Sequence, residues 1–316
     1  MRLRAAQVRF VHDRVSRWYR RHRRELEWRF TNDPYEILIS EIMLQQTQVD
    51  RVKIKYPLFL RKFPTLHTLA AARTSDVIKA WRGMGYNNRA ARLKEMAVTL
   101  VRDFRGIIPR DVDLLRELPG IGPYTSNALA CFAFHARVPV VDVNIDRVLS
   151  RLFGPVSNDN GRSAAASICD LARRVLPRNA PAWNQALMDL GATVCKARNP
   201  ACTACPVRSA CRYSRRESVA GRKQAANRYA AARGQHPLLQ GKVKAEPTYR
   251  GTPRRLWRGK IVQVLRDHGS LSVNKLGATI LPGFAERELP WLADLLGKLE
   301  HDGLITVQNR RVRLGG

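Results

Sequence analysis

Cys195, Cys202, Cys205 and Cys211 are spaced C-x6-C-x2-C-x5-C within the single segment VCKARNPACTACPVRSAC. Four soft thiolates gathered in this way can hold either a 4Fe-4S cluster or a tetrahedral zinc ion. Zinc sites more often use two C-x2-C knuckles, so the spacing by itself leaves both open. Disulfides are the third alternative, but the chain shows no export signal, and structural disulfides are rare in reducing compartments. Cys131 and Cys169 lie in the apolar helical contexts ACFAF and SICDL, where a small buried thiol is the ordinary outcome and no chemistry is assigned.

Two further segments carry candidate chemistry. In LRELPGIGPYTSNALACFAF, Gly120 and Gly122 separate an apolar helix end from a new helix near Tyr124. Glycines there let backbone N–H groups approach a phosphate, helped by the dipole of the following helix, although a plain interhelical turn has the same pattern. In VPVVDVNIDRVLSRLFG, Asp142 follows an apolar run and is placed to cap the helix carrying Arg147 and Leu149. A cap can also be a catalyst, because a carboxylate at a helix start is kept ionised and can face a developing positive charge.

These residues must be positioned by helices. From about residue 1 to 212 the chain reads as successive amphipathic helices with short Gly/Pro punctuation and no convincing run of alternating strands. Val8, Val11, Val15 and Trp18 recur at helical spacing, so the Arg-rich N-terminus is read as a first core-packed helix; Asp13 argues against a transit peptide. Residues 213–252 are basic, Ala/Gly-rich and aperiodic, as in a linker. Residues 253–316 give three helices and then LITVQNRRVRL, two short alternating runs around a polar turn. That order looks like a winged helix-turn-helix, with Arg310, Arg311 and Arg313 on the wing, a module that binds either DNA or protein.

Charge points to the partner. Fifty-six Lys and Arg against 26 Asp and Glu give +30 over 316 residues, a field that concentrates a polyanion. Nucleic acid is the natural partner and a membrane surface the weaker rival. No apolar stretch approaches the roughly 18–20 residues of a membrane helix, so the chain is expected to be soluble.

LPGIGPYT, VVDVNIDRV and the cysteine spacing, in this order, resemble the endonuclease III/MutY superfamily of helix-hairpin-helix DNA glycosylases, over about residues 8 to 212. LEWRFTNDPYEILISEIMLQQTQV, GMGYNNRAARL and WNQALMDLGATVC are similar to its MutY-type adenine glycosylases, which remove adenine mispaired with 8-oxoguanine. The resemblance implies an all-α, two-lobed core with DNA in the cleft between the lobes, plus the small α+β winged helix. Residues 1–29 and 136–212 would form the cluster lobe, 30–135 a six-helix barrel with the hairpin, 213–252 a basic linker and 253–316 the winged helix. It tips the cysteines towards a structural 4Fe-4S cluster that organises a basic loop around Lys196, Arg198 and Arg208.

The same resemblance assigns roles. Asp142 matches the catalytic aspartate that stabilises an oxocarbenium-like sugar, and Asn144 an asparagine that orients the carboxylate or water. Glu41 matches the glutamate that protonates the leaving adenine, a role needing a raised pKa from apolar surroundings such as Leu38, Ile42, Met43 and Leu44. Tyr124 stands where bifunctional relatives carry a Schiff-base lysine; a phenol forms no imine, so little or no strand cleavage is implied. Gln46 and Tyr86 match positions that probe or wedge the duplex, with a surface amide and a core aromatic as the plain alternatives. Gly120, Gly122, Thr125 and Arg29 complete the implied DNA-binding set. The implied partners are mismatched or damaged double-stranded DNA and the downstream abasic-site repair enzymes, with a monomer, cytoplasmic and nucleoid-associated, as the expected form.

Two features depart from the MutY pattern. Val143 stands where a glycine is typical, and residues 253–316 do not resemble the Nudix-like domain that recognises 8-oxoguanine. Three functions therefore stay open: removal of adenine opposite 8-oxoguanine or G, removal of thymine or uracil opposite G, and a non-catalytic DNA-binding role.

Overall fold

Local sequence signals place the helices. The computed structural model describes residues 4–154, 164–215 and 246–315. Helix α1 (Ala5–His22) is followed by α2 (Pro34–Leu44), α3 (Val49–Lys62), α4 (Leu66–Ala71), α5 (Thr74–Ala80) and α6 (Asn88–Phe104). Then come α7 (Val112–Glu117), α8 (Pro123–Phe132), α9 (Val143–Phe153), α10 (Ala164–Arg174) and α11 (Ala180–Thr193). Asp33, Asp111, Asp142 and Asn179 each cap a helix start with a side-chain oxygen on backbone N–H groups, and Pro34 occupies a first-turn position that needs no donor.

The chain divides into two compact units. One comprises residues 1–29 and 126–243, the other 30–125 and 244–316. In the first, α1 packs on α11 through buried Val11 and Val15, and α11 packs on α9. Gly191 permits that second contact: a Cβ there would lie 2.6 Å from Asn144 Cβ. In the second, α2 is apolar on nearly every face, with Ile37, Leu38, Ile39, Ile42 and Met43 all buried, as befits a central helix.

The C-terminal part of the second unit begins with a hairpin, β1 (Thr248–Tyr249) and β2 (Thr252–Pro253). There follow α12 (Arg254–His268), β3 (Ser270–Ser272), α13 (Val273–Ile280), α14 (Leu289–His301), β4 (Ile305–Gln308) and β5 (Arg311–Leu314). The last three strands form an antiparallel sheet in the order β3-β5-β4. A winged-helix topology results, on an all-α core, as the sequence indicates. The hairpin and β3 are additions to the sequence reading, which placed 248–252 in a linker and left Ser270 and Leu271 unassigned between two helices. Strands of two or three residues are too short to show alternation. The rest of that linker, 216–245, lies outside the described residues. No helix among the described residues is long and apolar enough to cross a membrane.

Candidate catalytic and nucleic-acid-binding clusters

In the first unit the carboxylate cluster is built on the start of α9. Asp142 Oδ1 accepts from the backbone N–H groups of Asn144 (3.0 Å) and Ile145 (2.7 Å), and Oδ2 accepts from Asn144 Nδ2 (2.7 Å). Burial raises the Asp142 pKa above the usual carboxylate range, while the bonds from Ile145 and Asn144 and the Arg147 charge pull the other way. Asn144 is itself fixed, because Arg147 Nη2 donates to its Oδ1 (2.7 Å) and to the Gly191 carbonyl (2.7 Å). Arg147 Nε donates to the Cys195 carbonyl (2.7 Å), so a continuous hydrogen-bond chain runs from the carboxylate to the cysteine loop.

The four cysteines of that loop form no disulfide and line one pocket, walled by Val194, Pro200 and Ala201. Arg151 crosses the loop, donating to Cys195 Sγ (3.4 Å) and to the carbonyls of Lys196 (2.7 Å) and Ala197 (3.0 Å). Burial pushes the Cys205 thiol up to about 11, and repulsion from Cys195, Cys211 and Cys202 adds to the shift. Among the described residues no three His, Cys, Asp or Glu side chains converge as ligands of a single metal ion. Cys131 is buried and receives a bond from Asn184 Nδ2 (3.3 Å), in line with a core thiol.

In the second unit Glu41 lies on α2 at 6% exposure, with Leu38, Ile42 and Met43 buried beside it and Leu44 half-buried. Gln46, just past the end of α2, and Tyr86, just before α6, are both exposed. Both adopt left-handed backbone, φ +54° and +43°. That region is unfavourable for residues with a Cβ and persists only where the surroundings over-determine it. The determinant is Arg89, a residue the sequence reading passed over. Its guanidinium donates to the carbonyls of Ile42 (2.9 Å), Met43 (3.0 Å) and Gln45 (2.5 Å) on one side, and of Met84 (3.0 Å) and Gly85 (3.2 Å) on the other. Burial lowers its pKa to about 10, leaving it charged at neutral pH.

The hairpin leads into α8. Gly120 is exposed at φ +81°, a conformation that favours glycine, and a Cβ on Gly122 would meet nothing within 4 Å. Tyr124 sits half-buried in the first turn of α8. Thr125 is buried and accepts from Gln45 Nε2 (3.3 Å), away from the exposed surface where a DNA contact was expected. Arg29 is also placed elsewhere. Its side chain is 9% exposed and both terminal nitrogens are bonded to the fully buried Asp189 (2.8 and 2.9 Å), so the expected DNA contact gains no support.

The signature of HhH-GPD superfamily base excision DNA repair proteins matches residues 39–173. Over 297 aligned residues the chain is 39% identical to an adenine DNA glycosylase of Mycolicibacterium smegmatis, an alignment covering 91% of this chain and 90% of that protein. The chain belongs to the adenine DNA glycosylase family of the HhH-GPD superfamily. Among solved structures, a thermostable thymine-DNA glycosylase superposes on this family member with a TM-score of 0.62 at 33% identity, covering 66% of this chain and 97% of that one. An endonuclease III trapped as a covalent intermediate with DNA superposes with a TM-score of 0.58 at 25% identity, covering 71% and 99%. Both neighbours are almost wholly matched by 66% and 71% of this chain, whereas the alignment to the adenine glycosylase of M. smegmatis takes in 91% of it.

Proposed function

We propose that this protein is a monofunctional DNA glycosylase that hydrolyses the N-glycosidic bond of adenine mispaired with 8-oxoguanine or G. The observation that carries the proposal is the Asp142–Asn144 pair, held at the start of α9, in a chain so similar to an adenine DNA glycosylase. The target nucleotide leaves the stack, and Gln46 and Tyr86, exposed on strained backbone, probe the duplex around it. Glu41, in its apolar surround, delivers a proton to the departing adenine. The C1′–N9 bond then breaks with its electron pair leaving on the base. Asp142, anionic and aimed by Asn144, stabilises the positive charge left on the sugar. Water adds its oxygen to C1′ and gives up its proton, for which Asp142 is the acceptor. No amine stands at Tyr124 to form an imine, so the product is an intact strand with an abasic site, passed to other repair enzymes.

Cys195, Cys202, Cys205 and Cys211, which line one pocket, would hold a 4Fe-4S cluster, as a set of four soft thiolates can. Such a cluster would supply structure to the loop and no bond-breaking chemistry. The partner is double-stranded DNA, supported by the +30 charge and by the DNA held in the endonuclease III neighbour. A cytoplasmic, nucleoid-associated monomer fits this role.

A second reading, thymine or uracil removal opposite G, is favoured by the thymine-DNA glycosylase neighbour and by Val143 between Asp142 and Asn144. Single-turnover base release on duplexes bearing A:8-oxoguanine, A:G, T:G or U:G separates the two. Adenine release is expected; thymine or uracil release with adenine untouched would replace the first reading by the second.

A further inference from the structure

The last turn of α12, in the winged-helix part, is bonded to one short segment of the barrel helices. Arg266 donates from Nε and Nη2 to the Ile78 carbonyl (3.1 and 2.9 Å) and from Nη2 to Asn87 Oδ1 (2.8 Å). The next residue, Asp267, pairs with Arg82 and is steadied by Gln263 Nε2 (2.8 Å). Ile78 lies in the last turn of α5, whose carbonyls lack helical partners, and Asn87 precedes α6 without making a side-chain cap bond of its own. One guanidinium therefore closes the end of one helix and anchors the start of the next. The segment between them, residues 81–87, is the loop that carries Tyr86.

Burial lowers the Arg266 pKa to about 10, so it remains a cation at neutral pH and its bonds are charge-assisted. Arg89 holds the same loop through the Met84 and Gly85 carbonyls. Meanwhile α14, which corresponds to the base-reading helix of winged-helix DNA binders, exposes Asp294 and Glu300 beside Lys298, and Asp294 pairs with Arg254 and Lys298. That face has no excess of positive charge to offer a duplex.

We propose that the winged-helix part is a positioning module whose ligand is this chain's own α5–α6 loop. Through Arg266 and Asp267 it fixes the loop so that Tyr86 meets the duplex already in its strained, exposed conformation. The proposal rests on the reading of Tyr86 as a duplex-probing residue.

The test uses the full chain as Arg266→Ala, Tyr86→Ala and the double variant, read by single-turnover adenine release and by hydrogen exchange across 81–87. Arg266→Ala is expected to speed exchange in that loop, leave the rest of the barrel unchanged, and slow base release about tenfold, the scale of one charged hydrogen bond. Adding it to Tyr86→Ala is expected to cost little more, because both changes act through one side chain. Additive losses in the double variant, or unchanged exchange across 81–87, would overturn the positioning role. Wild-type release by Tyr86→Ala alone would instead remove the reading of Tyr86, and this proposal with it. Should Arg266→Ala fail to fold, Asn87→Ala, which keeps the bond to Ile78, carries the same expectations.

Discussion

Asp142 is asked to be a cap and an anion at once. Because burial raises its folded pKa, the folded protein takes up a proton at higher pH than the unfolded chain, whose aspartates titrate near about 3.9. Ionising Asp142 therefore costs stability as pH rises from the unfolded to the folded value, and the cost is constant above it. The acid limb of the base-release profile should accordingly lie above pH ~4 and follow this one group; a rate that stays flat down to pH ~4 would show that Asp142 titrates normally. Arg89 is the second residue-scale case. Arg89→Ala takes a charged donor from five carbonyls, of which Met84 keeps Thr47 Oγ1 and Gly85 keeps Trp81 Nε1, so urea unfolding should show a loss of about 2–4 kcal/mol. Arg89→Lys should recover only part of it, since an ammonium cannot fork to both loops.

At the scale of elements, the crossing of α9 and α11 aims the carboxylate. Gly191→Ala places a Cβ 2.6 Å from Asn144 Cβ and 3.1 Å from its backbone, neither of which can swing aside. Base release by this variant should fall at least about tenfold, while far-UV dichroism shows the helices intact; an unchanged rate would mean that α9 tolerates the shift. What the sequence made legible follows the same logic. Asp142 as a cap, the glycine hairpin and the four cysteines were readable because each is a local pattern with a local cause. Arg89, Arg147 and Gly191 were not, because a lone Arg or Gly on an amphipathic helix reads as surface or spacer until the opposing element is in place. The pairing of Arg29 was hidden for the same reason: its partner, Asp189, is 160 residues away in the chain.

For the whole molecule, +30 of net charge predicts DNA affinity that falls steeply with salt, mismatch or no mismatch. A binding constant indifferent to salt between 50 and 200 mM, the range over which phosphate contacts are strongly screened, would contradict that. Cys202→Ser should weaken folding and DNA binding together, and a cluster-free protein with full activity would remove the structural role of the cysteine loop. The central claim, that Asp142 is the anion at which adenine is released, is tested most directly by single-turnover release on A:8-oxoguanine duplex with Asp142→Asn beside the wild type. Asp142→Asn should abolish release, retain DNA binding and melt at or above the wild-type temperature, because the desolvated charge is gone. Release at the wild-type rate would contradict it.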